Sequence, residues 1–155
     1  MRGQIIDSFW DEDRGVATLI KATPYGTFVE SCEAAPEDRD IMTSWDGFHF
    51  AEMKCNIQAM RAKAKQMRQR AIGAENALKA LDKMNSNAID EEGYPVLDSY
   101  TLDKLERQVR AAFREADKCQ ENYEEARGAY QAYTDILLNR RRALRNKVSN
   151  INPED

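Results

Sequence analysis

Three arginines, Arg107, Arg110 and Arg114, follow one another at spacings of three and four residues, which on a helix gathers them into one stripe. They fall off the apolar seam of the segment that carries them, so the stripe faces outward near the N-terminal end of that helix. Guanidinium forks held in a row suit a diphosphate, because each donates two hydrogen bonds to phosphate oxygens. Acids also lie nearby, at Asp103, Glu106 and Glu115, and pairing with them is the alternative use of that charge.

Other chemistries lack their groups. His49 is the single imidazole, no serine or cysteine has a fixed relation to it, and its place near a helix start suits capping or packing rather than catalysis. Asp90, Glu91 and Glu92 are adjacent acids without the remaining ligands of a calcium loop. Cys32, Cys55 and Cys119 are odd in number and without CxxC spacing, so they are expected reduced and mostly buried rather than in a disulfide framework or a zinc knuckle. Glycine-rich phosphate loops are absent, and Arg140-Arg141-Arg142 reads as a solvated helix end. No catalytic residue, metal site or cofactor is expected, and an enzyme is not.

With 155 residues, 42% hydrophobic and 32% charged, the chain has the composition of one folded domain, with room for an appendage. The net charge of −4 is unevenly spread: residues 1–52 carry −7 and residues 53–83 carry +6. Lys54, Arg61, Lys63, Lys65, Arg68 and Arg70 fall in a stretch with no acid. Such a run is a solvated helix face paired with acids of a neighbour, or a field that draws an anion. A nucleic-acid polymer fits poorly with an acidic chain. No apolar run is long enough for a membrane span, and Asp7 interrupts what a signal peptide would need, so a cytosolic protein is expected.

These residues need elements to position them. Gly3–Trp10 and Gly15–Thr23 are rich in β-forming side chains and flank the polar stretch 11–14, which predicts a hairpin. A turn at Pro24-Tyr25-Gly26 leads to a third strand over Thr27–Glu33. A small antiparallel sheet over residues 1–46 follows, with one face that needs a helical cover. Ala34–Ser44, with Pro36-Glu37-Asp38-Arg39-Asp40, reads as a surface loop too polar for a core.

From Phe50 the period changes. Phe50, Met53, Ile57, Met60, Ala64, Met67, Ala71, Ala74, Leu78 and Leu81 recur at three- and four-residue steps, a helical seam that predicts a helix over about residues 47–84. A loop at 85–98 reverses the chain, and a second helix covers about 99–148, capped by Asp98 or Ser99. Its seam runs from Leu102 to Leu137 through Tyr123, Tyr130 and Tyr133, is broken at Arg140, and resumes at Leu144. A register that sets Leu81 opposite Leu102 brings Gly73 near Arg110, where a glycine leaves room. The fold class is therefore α+β: an N-terminal antiparallel β-sheet, then a long antiparallel two-helix hairpin over 47–155. A two-helix arm buries little, so oligomerisation through the helices, as a homodimer or higher homo-oligomer, is expected.

The order of motifs resembles a family of small phage proteins. Gly26-Thr27-Phe28-Val29-Glu30-Ser31-Cys32, then Pro36-Glu37-Asp38 and Asp40, then Gly47-Phe48-His49-Phe50-Ala51-Glu52 with Lys54, Cys55, Ile57 and Arg61, is similar to a strand, a "PED" loop and a helix opening of the form G-x-x-I-A-E-x-R-A-x-I. Ser99-Tyr100 with Leu105, Arg107 and Gln108 resembles the S-Y-x-x-x-x-L-x-R-Q start of that family's second helix. The resemblance spans most of residues 15–115 and is to the first type of Thoeris anti-defence protein, a phage-encoded signal sponge. Lys54 stands where that pattern has arginine, Ala35 where it often has histidine, and no phenylalanine occurs in 82–98.

The resemblance implies a protein of the host bacterial cytoplasm that binds a cyclic ADP-ribose isomer made by a TIR enzyme and withholds it without cleavage. Some members also hold cyclic oligonucleotides of the CBASS system at separate sites, which makes a cyclic trinucleotide a further implied ligand. Family ligand contacts come from arginines of the second helix and from an aromatic and an asparagine near the loop. Arg110 and Arg114 match the arginine spacing, with Arg107 on the same stripe; Tyr94, Tyr100 and Asn87 are positional candidates, and Arg61 joins the set from the first helix. Competing readings are a coiled-coil module that inhibits a host protein through its basic first helix, and nucleic-acid binding along Lys54–Arg70.

Overall fold

The computed structural model describes residues 2–88, 93 and 97–151. Its architecture is α+β: strands β1 (Gln4–Asp11), β2 (Val16–Thr23) and β3 (Gly26–Glu33), then helices α1 (Ser44–Asn87) and α2 (Ser99–Ile151). The acidic loop residues Asp90, Glu91 and Glu92 lie outside the described residues. The chain divides into two compact units, Met1–Met60 with Tyr123–Asp155, and Arg61–Asn122.

In the first unit the sheet is antiparallel in the order β1-β2-β3. The β1–β2 turn is made by Asp11, whose carboxylate accepts from the backbone N–H groups of Asp13 (3.1 Å) and Arg14 (3.2 Å), and by Gly15, whose φ of 66° suits a residue without a Cβ. Alternation along β2 buries Ala17, Leu19 and Lys21 on one face, the period-two signature of a strand with one covered side. The cover is the start of α1, where Ala51 and Cys55 close on Leu19 with Phe28 beside them. The Cys55 thiol donates toward the backbone oxygens of Leu19 (3.8 Å) and Phe28 (3.6 Å). Burial of Leu19 and Phe50 stabilises this core by about 1.5–3 kcal/mol each.

Gly47 makes that approach feasible, because a Cβ there would sit 2.7 Å from the Ala17 Cβ. Lys21, 4% exposed, points into the same interface and is satisfied by Glu52 and Asn56, each at 2.9 Å. A buried ammonium without such partners would be strongly disfavoured.

Helix α1 begins earlier than expected, on a reciprocal cap. The Thr43 backbone N–H donates to the Asp46 carboxylate (2.8 Å), and the Asp46 N–H donates to the Thr43 hydroxyl (3.2 Å), which satisfies two otherwise unpaired donors at the helix start. His49 packs, stacked on Trp45 with centroids 5.2 Å apart and edge-on to Tyr133 at 6.1 Å. Phe50 meets Tyr130 and Tyr133 edge-to-face.

The surface-loop reading of Ala34–Ser44 holds for most of its side chains, which are exposed, and is corrected at three points. Pro36–Asp38 forms a 3-10 turn, Asp38 is buried, and Ser44 already belongs to α1. The solvated-end reading of Arg140-Arg141-Arg142 holds for Arg140, which is exposed, and is corrected for Arg141 and Arg142. Arg141 donates to both Asp46 carboxylate oxygens (2.5 and 3.0 Å) and to the Ile41 backbone oxygen (2.9 Å). Arg142 forks onto Asp38 at 3.0 and 2.5 Å. Arg145 reaches Asp40 at 3.1 Å and the Glu37 backbone oxygen at 2.7 Å. The seam of α2 therefore passes through arginines at this point, and Leu144, expected to resume it, is 60% exposed.

In the second unit α1 and α2 run antiparallel with small residues between them: Ala64, Ala71, Ala116 and Cys119 are buried. Ala74, placed on the seam by its spacing, is exposed. Arg68 pairs with Asp117 and lies over the Phe113 ring, 5.8 Å from its centroid. Asn85, 7% exposed, clasps the far side of the turn: its amide donates to the Leu97 backbone oxygen (3.2 Å) and accepts from the Leu97 N–H (2.6 Å). Asp98 caps α2 through the Thr101 N–H at 2.7 Å. All three cysteines are free thiols, Cys55 and Cys119 buried and Cys32 half-buried. No helix among the described residues is long and apolar enough to cross a membrane.

Candidate functional site

Arg107, Arg110 and Arg114 lie on the exposed side of α2, two turns from first to last. Arg110 makes one loose surface contact, 3.7 Å to Glu106, with both side chains more than half exposed. Such a pair contributes little against solvent and entropy. Arg107 and Arg114 make no ion pair among the described residues. The intrahelical pairing that competes for these guanidinium groups is therefore almost unused.

Beside the stripe is a hollow of about 480 Å3, into which Arg110 projects with Lys79, Glu75, Asp82, Asp103 and Glu106 around it and Leu78, Leu102 and Val109 as its floor. Its carboxylates outnumber its cations. A ligand seated there needs hydroxyl or amine donors for the acids as well as an anionic group for Arg110, since a bare diphosphate would meet repulsion on most of the rim. An adjoining apolar groove of about 280 Å3 is lined by Leu78, Leu81, Leu105 and Val109. These pairings agree with the register that sets Leu81 near Leu102. Gly73, expected to leave room beside Arg110, faces open space, with no atom within 4 Å of where its Cβ would be.

Of the stripe only Arg110 lines this hollow; Arg107 and Arg114 do not, and the remaining sequence-derived candidates do not gather here. Tyr100 is 70% exposed and does not line the hollow. Asn87 ends α1 with an exposed side chain. Arg61 is exposed on α1, about 20 Å of helix rise from Glu75. Tyr94 lies outside the described residues. The basic run of α1 is likewise dispersed: Lys54 Nζ donates to the Ser31 backbone oxygen (2.7 Å) and Arg68 is tied to Asp117.

Sequence reasoning passed over the acid–arginine cluster of the first unit. Hydrogen bonds from Arg142 hold the Asp38 carboxyl below the ordinary carboxylate range, against the opposing effect of burial. Burial alone would raise Asp46; the hydrogen bonds from Arg141 and Thr43 outweigh it and leave its pKa lowered. The available signal was the T-x-x-D pattern at 43–46, a cap motif that sets an acid at the helix start. The charged groups of this cluster are paired with one another, and Asp38 and Arg142 also line a hollow of about 440 Å3.

No group of histidine, cysteine, aspartate and glutamate among the described residues is arranged to hold a metal ion. No family model matches the chain, no curated protein is significantly similar to it, and no solved structure significantly matches it.

Proposed function

We propose that this chain is a non-catalytic phage anti-defence protein of the host bacterial cytoplasm that sequesters a cyclic ADP-ribose isomer, the signal of TIR immunity, without degrading it. The observation that carries the reading is the stripe itself: three exposed guanidinium groups in line, two without an ion pair among the described residues and the third held at 3.7 Å by Glu106, beside a hollow rimmed with carboxylates. Guanidinium forks suit the diphosphate, and carboxylates suit the ribose hydroxyls of such a ligand. A ligand held without turnover gains from slow release rather than from reactive groups. CBASS cyclic oligonucleotides, a cyclic trinucleotide included, are the second ligand class of this reading.

The site is completed by another copy of the chain, as a homodimer or a larger homo-oligomer. Supporting this, the helices of the second unit bury mainly alanines, while Ile72, Met84 and Leu81 remain at least 36% exposed. Mass measurement in solution tests it, and a monomer at micromolar concentration counts against it.

For the ligand, the protein is incubated with the product of a TIR enzyme, separated from unbound nucleotide and heated to release what it holds. Intact ligand is expected in the heated supernatant; degraded product, or none, overturns the reading. Arg110→Ala with Arg114→Ala should abolish retention with unchanged helicity, and unchanged retention removes the stripe as the site. The apolar groove at Leu78, Leu81, Leu105 and Val109 favours a second reading, a module that docks a helix of a host protein. Its signature is a stoichiometric protein partner in a pull-down that is indifferent to nucleotides.

A further inference from the structure

A second hollow, of about 620 Å3, lies wholly within the sheet-bearing unit, and none of the stripe arginines lines it. Tyr123 and Tyr130, two turns apart on α2, supply aromatic walls. Glu30 reaches it from β3 as a half-buried carboxylate that makes no ion pair among the described residues. Lys54 stands at the rim, steadied by the Ser31 backbone oxygen at 2.7 Å, and Arg127 is exposed on the opposite helix. With Glu124, the lining holds two cations and two carboxylates, so it has no net demand for an anion. It offers instead acceptors and donors together with two tyrosine rings from α2.

We infer that this hollow is a binding site for a guanine base, in which Glu30 accepts the ring N–H and exocyclic amine, Lys54 or Arg127 donates to the carbonyl oxygen and ring nitrogen, and a tyrosine stacks on the ring. Guanine is the base that presents two adjacent acceptors to a cationic side chain, and its donor edge matches a carboxylate. Stacking on tyrosine is available to any base, so the polar edges set the choice. Burial, with Cys32 and Glu30 nearby, pushes the Tyr130 phenol up to about 12, so its ring stays neutral. Gly128 keeps the space open: no atom lies within 4 Å of where its Cβ would be, and it lines the hollow.

The test is a calorimetric titration of the full chain with guanosine, adenosine and guanosine 5′-monophosphate. Guanosine is expected to saturate at one per chain, with adenosine at least about tenfold weaker because its edge reverses donor and acceptor. The monophosphate should bind within about threefold of guanosine, with little change between low and high salt, since phosphate is not what the site reads. Gly128→Leu, which fills the hollow and favours the helix, should weaken guanosine binding at least about tenfold with unchanged circular dichroism. Glu30→Gln, which keeps the shape, should weaken it comparably, whereas Arg110→Ala with Arg114→Ala should leave it intact. Absence of guanosine binding at millimolar concentration, binding untouched by both Gly128→Leu and Glu30→Gln, or binding that requires the phosphate would each overturn the assignment.

Discussion

Two sets of three arginines on one helix meet opposite fates. Arg141, Arg142 and Arg145 fold back onto Asp46, Asp38 and Asp40, while Arg107, Arg110 and Arg114 are exposed and share a single loose ion pair among the described residues. The difference is not in the arginines but in what the rest of the chain brings to them. Residues 36–46 deliver two buried carboxylates, Asp38 and Asp46, and the exposed Asp40 to the first set; the second set faces surface acids of its own unit. A guanidinium group near an anionic ligand site has to be held in place yet remain unneutralised, and only the second set keeps its charge available.

The comparison breaks most readily at Asp46, which serves Arg141 and the α1 cap together. Asp46→Ala leaves a half-buried guanidinium group without its partner and removes the reciprocal bond with Thr43. A loss of about 3 kcal/mol is expected in chemical denaturation; a loss below that of an ordinary surface mutation would show the cluster to be decorative. Asp38→Asn should cost less, because Arg142 is 40% exposed and water replaces part of the pair. A smaller midpoint shift than that of Asp46→Ala is the expected reading.

The same cluster predicts acid sensitivity. Asp38 and Asp46 have lowered pKa values in the folded chain, so their contribution is fully present above the unfolded carboxylate value of about 3.9 and is lost as pH falls through the lowered folded values. Stability measured by denaturant midpoint should fall steeply below about pH 4, and Asp46→Asn should flatten that slope. Smallest of all is the effect of Arg107→Ala or Arg114→Ala on stability, within about 0.5 kcal/mol. A larger loss would place the stripe among the structural arginines and dissolve the contrast.

Much of the fold was readable because it rests on local periods. The alternation in residues 16–23 and the three-four seam of α1 announce their elements without help from elsewhere. The arginine cluster was hidden for the same reason. A seam is recognised by its apolar residues, so Arg141 and Arg145 at seam positions read as an interruption, and Leu144, the next aliphatic, took their place wrongly. Asp38 looked like a surface acid because its partner lies 104 residues away, beyond any local window. At the stripe, spacing located Arg107, Arg110 and Arg114 on one face, but the acids that rim the hollow come from α1 as well as α2, and only the register brings them together.

Asn85 closes the reversal between the helices on its own account. Its one amide both gives to and takes from the Leu97 backbone, so one side chain ties the end of α1 to the approach of α2. Asn85→Ala would remove both bonds at once and leave the facing ends of the two helices free to slide past one another.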